Sequence, residues 1–320
     1  MRRPFDPVQL SVVISTYNDG PLLHRTVAPL LADPAAAEVI VVIDGSDDGS
    51  YESLRGRADH EPRLRPFFIE NRGRAGARQF ALEQATEDVV LLLDSDVIGE
   101  EGLVSGHARW HADGPPRIVL GYMPVRPPRR GPGSFVVEHY ARMYELRCEA
   151  YDRDPGAILN GLWGGNMSLP RRAIDAAGGF DGGLGVIYSE DLELGFRLAE
   201  AGLEPVFDRR LRAVHEFERS VPGYIATGRE YGEALVRIDE RHPGRVMFPP
   251  PPRSRWDARL RDLAMRAPLR RTLLGAGTRL VLAAGRLHAW PVEARVGRIL
   301  ERLQIEAGMR EARYLSGFGR

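Results

Sequence analysis

The sequence predicts an α/β fold, a parallel sheet covered by helices on both faces, followed by a helical C-terminal extension. Three observations carry this reading. Through residues 10–93, short apolar runs rich in Val and Ile alternate with helix-compatible stretches, the pattern of parallel strands joined by crossover helices. Four of these runs end in clusters of acids, amides, glycines or arginines. A PPPP run at 249–252 then marks a stiff linker ahead of an Arg-rich remainder.

Residues 10–15 (LSVVIS) form the first expected strand and 21–31 a helix. Residues 38–43 (EVIVVI) form a second strand running into DGSDDGS, and 51–58 are helical. Residues 64–70 (LRPFFIE) form a third strand, 76–85 a helix, and 89–93 a fourth strand that runs into Asp94, Ser95 and Asp96. Sheets of this kind bind ligands beyond the carboxyl ends of their strands. Thr16, Tyr17, Asn18 and Asp19, then residues 44–49, 71–74 and 94–96, are therefore expected to meet at one rim. A strand turns alternate side chains to one face, so Asp94 and Asp96 are expected to point the same way if the extension continues. Two like charges at that spacing need a cation.

Each cluster also has a plain structural reading. DGSDDGS suits a turn, NRGRAGAR suits a helix start, and Asp94 and Asp96 suit the cap of a following helix. Their joint arrival at one edge favours a pocket. In the second half, WGGNMSLPR (163–171) sets Gly164 and Gly165 ahead of Asn166, which suits amides facing sugar hydroxyls or phosphate, or else a turn before a short strand at 167–169. In SEDLELGFRLAEAG, Ser189 is expected to cap a helix with an apolar stripe of Leu192, Phe196 and Ala199. Glu190 and Asp191 then fall in its first turn, where the helix dipole alone would favour acids.

Composition narrows the classes. The chain has 320 residues, 43% hydrophobic and 28% charged, values of a globular protein with a sizeable core rather than a disordered or fibrous one. The single cysteine, Cys148, fits a reducing compartment. MRRPFDPVQL lacks the apolar core of a secretory signal. The net charge of zero hides an asymmetry: residues 253–320 carry fifteen Arg against six acids, a net +9, and residues 1–252 carry −9. Lys is absent. Residues 224–241, 255–266 and about 269–287 read as helices, the last too charged, with Arg279 and Arg286, to span a membrane. Such a basic extension suits packing, another protein's acidic patch or a lipid surface; no nucleic-acid partner is expected.

Taken in order, VVISTYN, VVIDGSDDGS, ENRGRAGARQFAL, LLLDSD, WGGNMSLPR, GGFD, SEDLELGFRL and VHEF resemble the inverting nucleotide-sugar glycosyltransferases of family 2. The resemblance covers residues 10 to about 245 and implies the GT-A fold, a Rossmann-like, mixed but mostly parallel sheet. It implies a catalytic domain at 1–245, with the Pro-rich linker and basic helical extension at 246–320. It also implies a nucleoside-diphosphate sugar donor, with a UDP-sugar expected, and a hydroxyl acceptor on a glycan, lipid-linked or small molecule. In such enzymes a D-x-D element binds Mg²⁺ or Mn²⁺ against the donor's phosphates. Here that makes Asp96 and His215 the metal ligands, and Asp94 with Ser95 a contact to the ribose or the metal's water shell. Asp44, Thr16, Tyr17, Asn18, Gly73 and Arg74 would line the nucleoside, and Arg78 is open between that lining and a helix residue paired with an acid. Gly165 and Asn166 would face the donor, and Trp163 and Glu190 the acceptor. Asp191 would be the general base of a single inverting displacement. Glu193 stands where members usually carry Asp. A nucleotidyltransferase, or a nucleotide-sugar-binding protein without turnover, are the alternatives. The resemblance and the composition together imply a cytoplasmic protein, in peripheral contact with the inner face of the membrane if the basic extension is lipid-directed.

Overall fold

The computed structural model describes residues 8–181, 183, 189–251 and 254–315. They separate into two compact units: residues 8–126, 144–181, 183 and 190–216 in the first, and 127–143, 189, 217–251 and 254–315 in the second. Through β1 (Leu10–Thr16), α1 (Gly20–Ala32), β2 (Ala36–Asp44), α2 (Ser50–Ala58), β3 (Leu64–Ile69), α3 (Gly73–Gln84) and β4 (Val89–Leu93), the chain follows the expected alternation. Next come β5 (Val97–Gly99), α4 (Leu103–Trp110), β6 (Arg117–Tyr122), α5 (Ser134–Arg153), β7 (Asn166–Pro170), α6 (Arg171–Ala176), α7 (Glu190–Leu198) and β8 (Glu204–His215). Four helices follow: α8 (Val221–Arg241), α9 (Arg255–Met265), α10 (Ala267–Arg286) and α11 (Trp290–Leu315).

The first unit is built on a mixed eight-stranded sheet in the order β3-β2-β1-β4-β7-β6-β8-β5. β3, β2, β1 and β4 run parallel, β7 runs antiparallel to β4 and β6, and β8 runs parallel to β6. The chain steps outward from β1 to β3 and then returns to lay β4 on the other side of β1. That reversal is the topological switch point, where crossover connections diverge and leave a crevice.

Strand alternation divides the core. Val12, Ile14, Val39, Val41, Ile43, Leu91 and Leu93 pack with Leu23, Val27 and Leu30 of α1 and Val104 of α4. Val13, Ile40, Val42, Val90 and Leu92 pack on the other face with Ala77, Ala81 and Leu82 of α3 and Leu194 and Leu198 of α7. Each fully buried Val, Ile or Leu side chain contributes about 1.5–3 kcal/mol, so both faces of the central strands hold the site's scaffold rigid. The expected stripe on α7 holds at Phe196 but not at its ends, where Leu192 is half-buried. Ala199 lies beyond the helix and is exposed, and the buried positions include Leu194, Phe196 and Leu198. Ser189, expected as its cap, has φ 69° rather than the extended backbone of an N-cap.

α8, expected within the catalytic domain at 1–245, packs with the C-terminal helices in the second unit. Its glycines explain this. A Cβ at Gly232 would overlap the Ile305 carbonyl, one at Gly308 would overlap the Arg229 carbonyl, and one at Gly228 would lie 2.9 Å from the Glu301 carbonyl. α8 and α11 therefore meet backbone to backbone. Phe135, Val136, Val221, Ile225, Val281 and Leu300 form a separate core there. Among the described residues no helix is long and apolar enough to cross a membrane.

Two histidines give the first unit an acid-sensitive layer. His107 is fully buried between Ser168 (2.8 Å to Nδ1) and Asn166 (3.0 Å to Nε2), and His111 lies 2.8 Å from the same Ser168 hydroxyl. Burial pushes His107 down to about 3 and His111 down to about 4. Both are depressed below the unfolded value near 6.5, so their stabilisation is present above that pH and is lost as pH falls toward the folded values. Denaturant titrations are expected to show stability falling by up to ~3 kcal/mol per pH unit between about pH 6 and 4 from this pair. His107→Gln should flatten roughly half of that slope.

Candidate active site

β4 ends at Leu93, and the three residues after it form a turn rather than continuing the strand. The continued strand on which the shared direction of the two aspartates depended is therefore absent, and they take different partners. Asp94 meets Arg78 of α3, whose Nη2 donates to Oδ1 at 2.5 Å. Arg78 is itself buried and its Nη1 donates to Glu190 Oε1 at 2.8 Å, with Arg74 Nε 3.7 Å from the same oxygen. Burial alone would raise the Asp94 carboxyl, but the guanidinium beside it holds it below the usual range. At Glu190 burial wins over Arg78 and Arg74, and its carboxyl is raised.

Asp96 is held by a different partner. Its Oδ2 lies 3.1 Å from His215 Nε2. The placement follows from β5 pairing antiparallel with β8, Val97 opposite His215, reinforced by the Glu216 N–H donating to the Asp96 carbonyl at 2.8 Å. Ser95 faces β1: its hydroxyl donates to Asp19 Oδ2 at 2.6 Å, and its carbonyl accepts from Thr26 at 2.7 Å. Asp19 is raised by burial, opposed by Ser95 and reinforced by the charge of Asp96. The switch point between β1 and β4 is thus a tight acidic crevice.

The remaining rim residues gather nearby. Thr16 is buried 3.4 Å from Asp19, Tyr17 is 56% exposed, and Asn18 sits at φ 60° with its N–H on the Ser46 hydroxyl at 2.9 Å. Asp44 accepts from the Arg72 N–H at 2.7 Å, and burial raises its carboxyl against that bond. Gly73, at φ 72°, opens α3, so NRGRAGAR is a helix start three residues earlier than expected, and Arg74 lies in its first turn.

The WGGN segment joins this crevice to α7. The Gly164 N–H donates to Asp191 Oδ2 at 2.8 Å, and Leu192 N–H donates to Oδ1 at 2.8 Å. The Gly165 carbonyl accepts from the Asp94 N–H at 3.1 Å. One dipeptide therefore positions both the D-x-D turn and Asp191. Trp163, half-buried, stands edge-on to Tyr144 at 5.4 Å. A Cβ on Gly165 would lie 2.6 Å from Asp94 Oδ2 and 2.9 Å from Met123 Sδ. Asp94 is clamped by Arg78 and has little room to yield. Gly165→Ala is expected to cost roughly 1–3 kcal/mol of stability by overpacking, and to weaken nucleotide-sugar binding about 10-fold in calorimetry.

Two expected contacts are corrected. Asn166 is 1% exposed, with Oδ1 on His107 and Nδ2 donating to the Leu211 carbonyl at 3.1 Å. Both amide atoms are spent inside the sheet, so it braces β7 instead of facing a donor. Glu190 is 4% exposed and held by Arg78, which leaves it an internal counter-charge rather than an acceptor contact. Glu193 pairs with Arg197 at 2.6 Å, and Arg197 also reaches the Ala177 carbonyl, so Glu193 fixes the helix rather than Asp191. Arg78 is the residue that sequence reasoning left undecided, and the GRAGAR pattern alone could not have shown that it bridges two acids.

The donor set at the crevice suits a divalent cation. Asp96 supplies a partly exposed carboxylate and His215 an adjacent imidazole. No group of three or more His, Cys, Asp or Glu forms a fuller cage among the described residues. Two protein ligands leave positions for phosphate and water oxygens, as Mg²⁺ and Mn²⁺ sites in nucleotide enzymes require.

Comparison with known proteins identifies the family. The model of Glycosyl transferase family 2 matches residues 11–177. The succinoglycan biosynthesis protein ExoU of Rhizobium meliloti is 40% identical over 91 residues, 28% of this chain and 27% of that protein. Validoxylamine A glucosyltransferase of Streptomyces hygroscopicus subsp. jinggangensis is 31% identical over 236 residues, 65% of this chain and 56% of that protein. The chain thus spans well under two thirds of either relative's length. Among solved structures, mannosyltransferase PcManGT from Pyrobaculum calidifontis, in complex with GDP-Man and Mn²⁺, superposes with a TM-score of 0.58 at 20% identity, covering 95% of this chain and 88% of that one. With more than half its length matched by the family model and its sheet shared with such structures, the chain belongs to glycosyl transferase family 2 and has the GT-A fold.

Proposed function

We propose that the chain transfers a sugar from a nucleoside-diphosphate sugar to a hydroxyl acceptor, with inversion at the anomeric carbon. The observation that carries this reading is the WGGN segment: its adjacent glycines orient the Asp191 carboxylate and anchor the Asp94 turn. Asp191 keeps a lone pair on each oxygen beyond the N–H bonds it accepts, so it is able to take the acceptor's proton while remaining fixed. The acceptor oxygen then attacks the anomeric carbon from the face opposite the leaving diphosphate, in one displacement with no covalent enzyme intermediate. Asp96 and His215 would hold the divalent cation, which when bound neutralises charge on the diphosphate. Asp44, Thr16, Tyr17, Asn18, Gly73 and Arg74 would line the nucleoside. The presence of GDP-Man and Mn²⁺ in PcManGT supports a nucleotide-sugar donor and a divalent metal.

The test is a panel of nucleotide sugars, UDP-sugars first, incubated with Mn²⁺ or Mg²⁺. Slow release of nucleoside diphosphate is expected, whereas formation of nucleoside triphosphate and sugar 1-phosphate only when pyrophosphate is added would assign a nucleotidyltransferase. Asp96→Ala is expected to weaken donor binding by roughly 10- to 100-fold in the presence of metal. Its residual binding should no longer respond to the metal; an unchanged response would remove Asp96 as a ligand.

A further inference from the structure

We infer that the second unit docks on an anionic lipid bilayer through the outer faces of α10 and α11. This inference stands on that unit alone and does not rest on the donor chemistry. α10 contains four Arg and no acid. Leu273, Leu280 and the following Leu287 recur at seven-residue spacing and are 39%, 49% and 78% exposed. At the helical turn angle this spacing places them on one stripe, with Ala276 and Ala283 between them. Arg279 and Arg286, both exposed, lie beside that stripe, about 100° around the helix, and exposed Arg271 lies on the far side. Among the described residues none of the three forms an ion pair, whereas Arg270, turned inward, pairs with Glu311 at 3.0 Å.

α11 repeats the composition. Val292 and Ile299 are about half exposed, beside exposed Arg295 and Arg298. The single acid between residues 267 and 300 is Glu293, 1% exposed and accepting from the Gly133 N–H at 2.5 Å. The exposed surface of this stretch therefore carries no acid and is rich in aliphatic and cationic side chains.

Charge decides between occupants. A second copy would bring arginines against arginines, which opposes self-association. Nucleic acid would satisfy the charge but not the exposed leucines, and neither α10 nor its stripe offers an aromatic ring for stacking bases. Anionic headgroups with acyl chains beneath them satisfy both, the leucines entering the interface while the arginines reach phosphate.

The full chain should be sedimented with phosphatidylcholine vesicles and with vesicles containing about one third phosphatidylglycerol. Binding at least ~10-fold stronger to the anionic vesicles is expected, falling steeply as NaCl rises from about 0.1 to about 0.5 M. Replacing Arg279 and Arg286 together by Gln should lower partitioning about 30-fold, and Leu280→Gln with Leu287→Gln about 10-fold. Nucleotide-sugar hydrolysis by these variants should match wild type, which reports that they fold. Equal binding to both vesicles, binding to neither, or unchanged partitioning of the Arg variant would overturn the inference. So would a concentration-dependent dimer lost on Leu280→Gln, or retention of an oligonucleotide, in the absence of anionic-vesicle binding.

Discussion

Asp191→Asn is expected to lower sugar transfer by about 10²- to 10⁴-fold while donor affinity stays within a few-fold. The separation follows from where the side chain stands. Its carboxylate is held by N–H groups of Gly164 and Leu192, both main-chain donors, whereas Asp96 is placed by His215 and by the Glu216 N–H on its carbonyl. Asn keeps the shape and one acceptor oxygen but loses the capacity to take a proton at neutral pH. Its NH₂ also meets one of the two N–H donors head on, a mismatch costing on the order of 1–3 kcal/mol locally. A thermal-shift control with saturating donor separates that cost from chemistry, because donor-bound variant and wild type should be stabilised alike. Calorimetric donor affinity and initial rates are the deciding pair. If the two fall together, Asp191 belongs to donor binding and the base lies elsewhere.

The scaffold was readable wherever burial imposes a simple period. The four parallel strands of the first half are apolar on both faces, so LSVVIS, EVIVVI and VVLLL announce themselves, and their polar ends point to the rim. What escaped was set by tertiary packing. β5 is three residues long, too short for any periodic signal, yet its pairing with β8 is what delivers His215 to Asp96. α11 passed unread because Pro291, Gly297 and Gly308 resemble breakers. Two of those residues are the points where the helix is approached most closely: a Cβ at Gly297 would overlap the Phe135 ring, and one at Gly308 the Arg229 carbonyl. Asn166 was misread because an amide after two glycines suits a ligand as well as it suits a buried histidine sixty residues away in sequence. The neighbouring acids Asp94 and Asp96 have part of their counter-charge in α3: Arg78 compensates Asp94, while on the other side the charge of Asp96 still raises Asp19.

Arg78→Leu is expected to destabilise the first unit by about 3–5 kcal/mol at neutral pH, the largest stability effect of any single substitution at the site. Its guanidinium is 5% exposed, bonds Asp94 and Glu190 with separate nitrogens, and lies 5.6 Å from the Phe180 ring. Removing it leaves buried Glu190 and partly buried Asp94 with the more exposed Arg74 as their nearby counter-charge. Lys should recover only part of the loss, since a single ammonium cannot fork between two acids as a planar guanidinium does. The pH dependence identifies the cause. In wild type Asp94 is depressed, so its contribution is present above the unfolded carboxylate value and lost as pH falls through the folded one. Glu190 is raised, so its ionised form already opposes folding above its folded value. Without Arg78 both carboxyls rise, and the variant regains stability as acid neutralises them. The gap between variant and wild type in denaturant titrations should therefore be widest near pH 7 and narrow toward pH 4. Adding Asp94→Asn and Glu190→Gln to Arg78→Leu should restore more than half of the loss, because the charges rather than the guanidinium's volume carry the energy. A gap that is independent of pH, or an Arg78→Leu protein within about 1 kcal/mol of wild type, would assign Arg78 a packing role and leave Asp94 free of electrostatic control from α3.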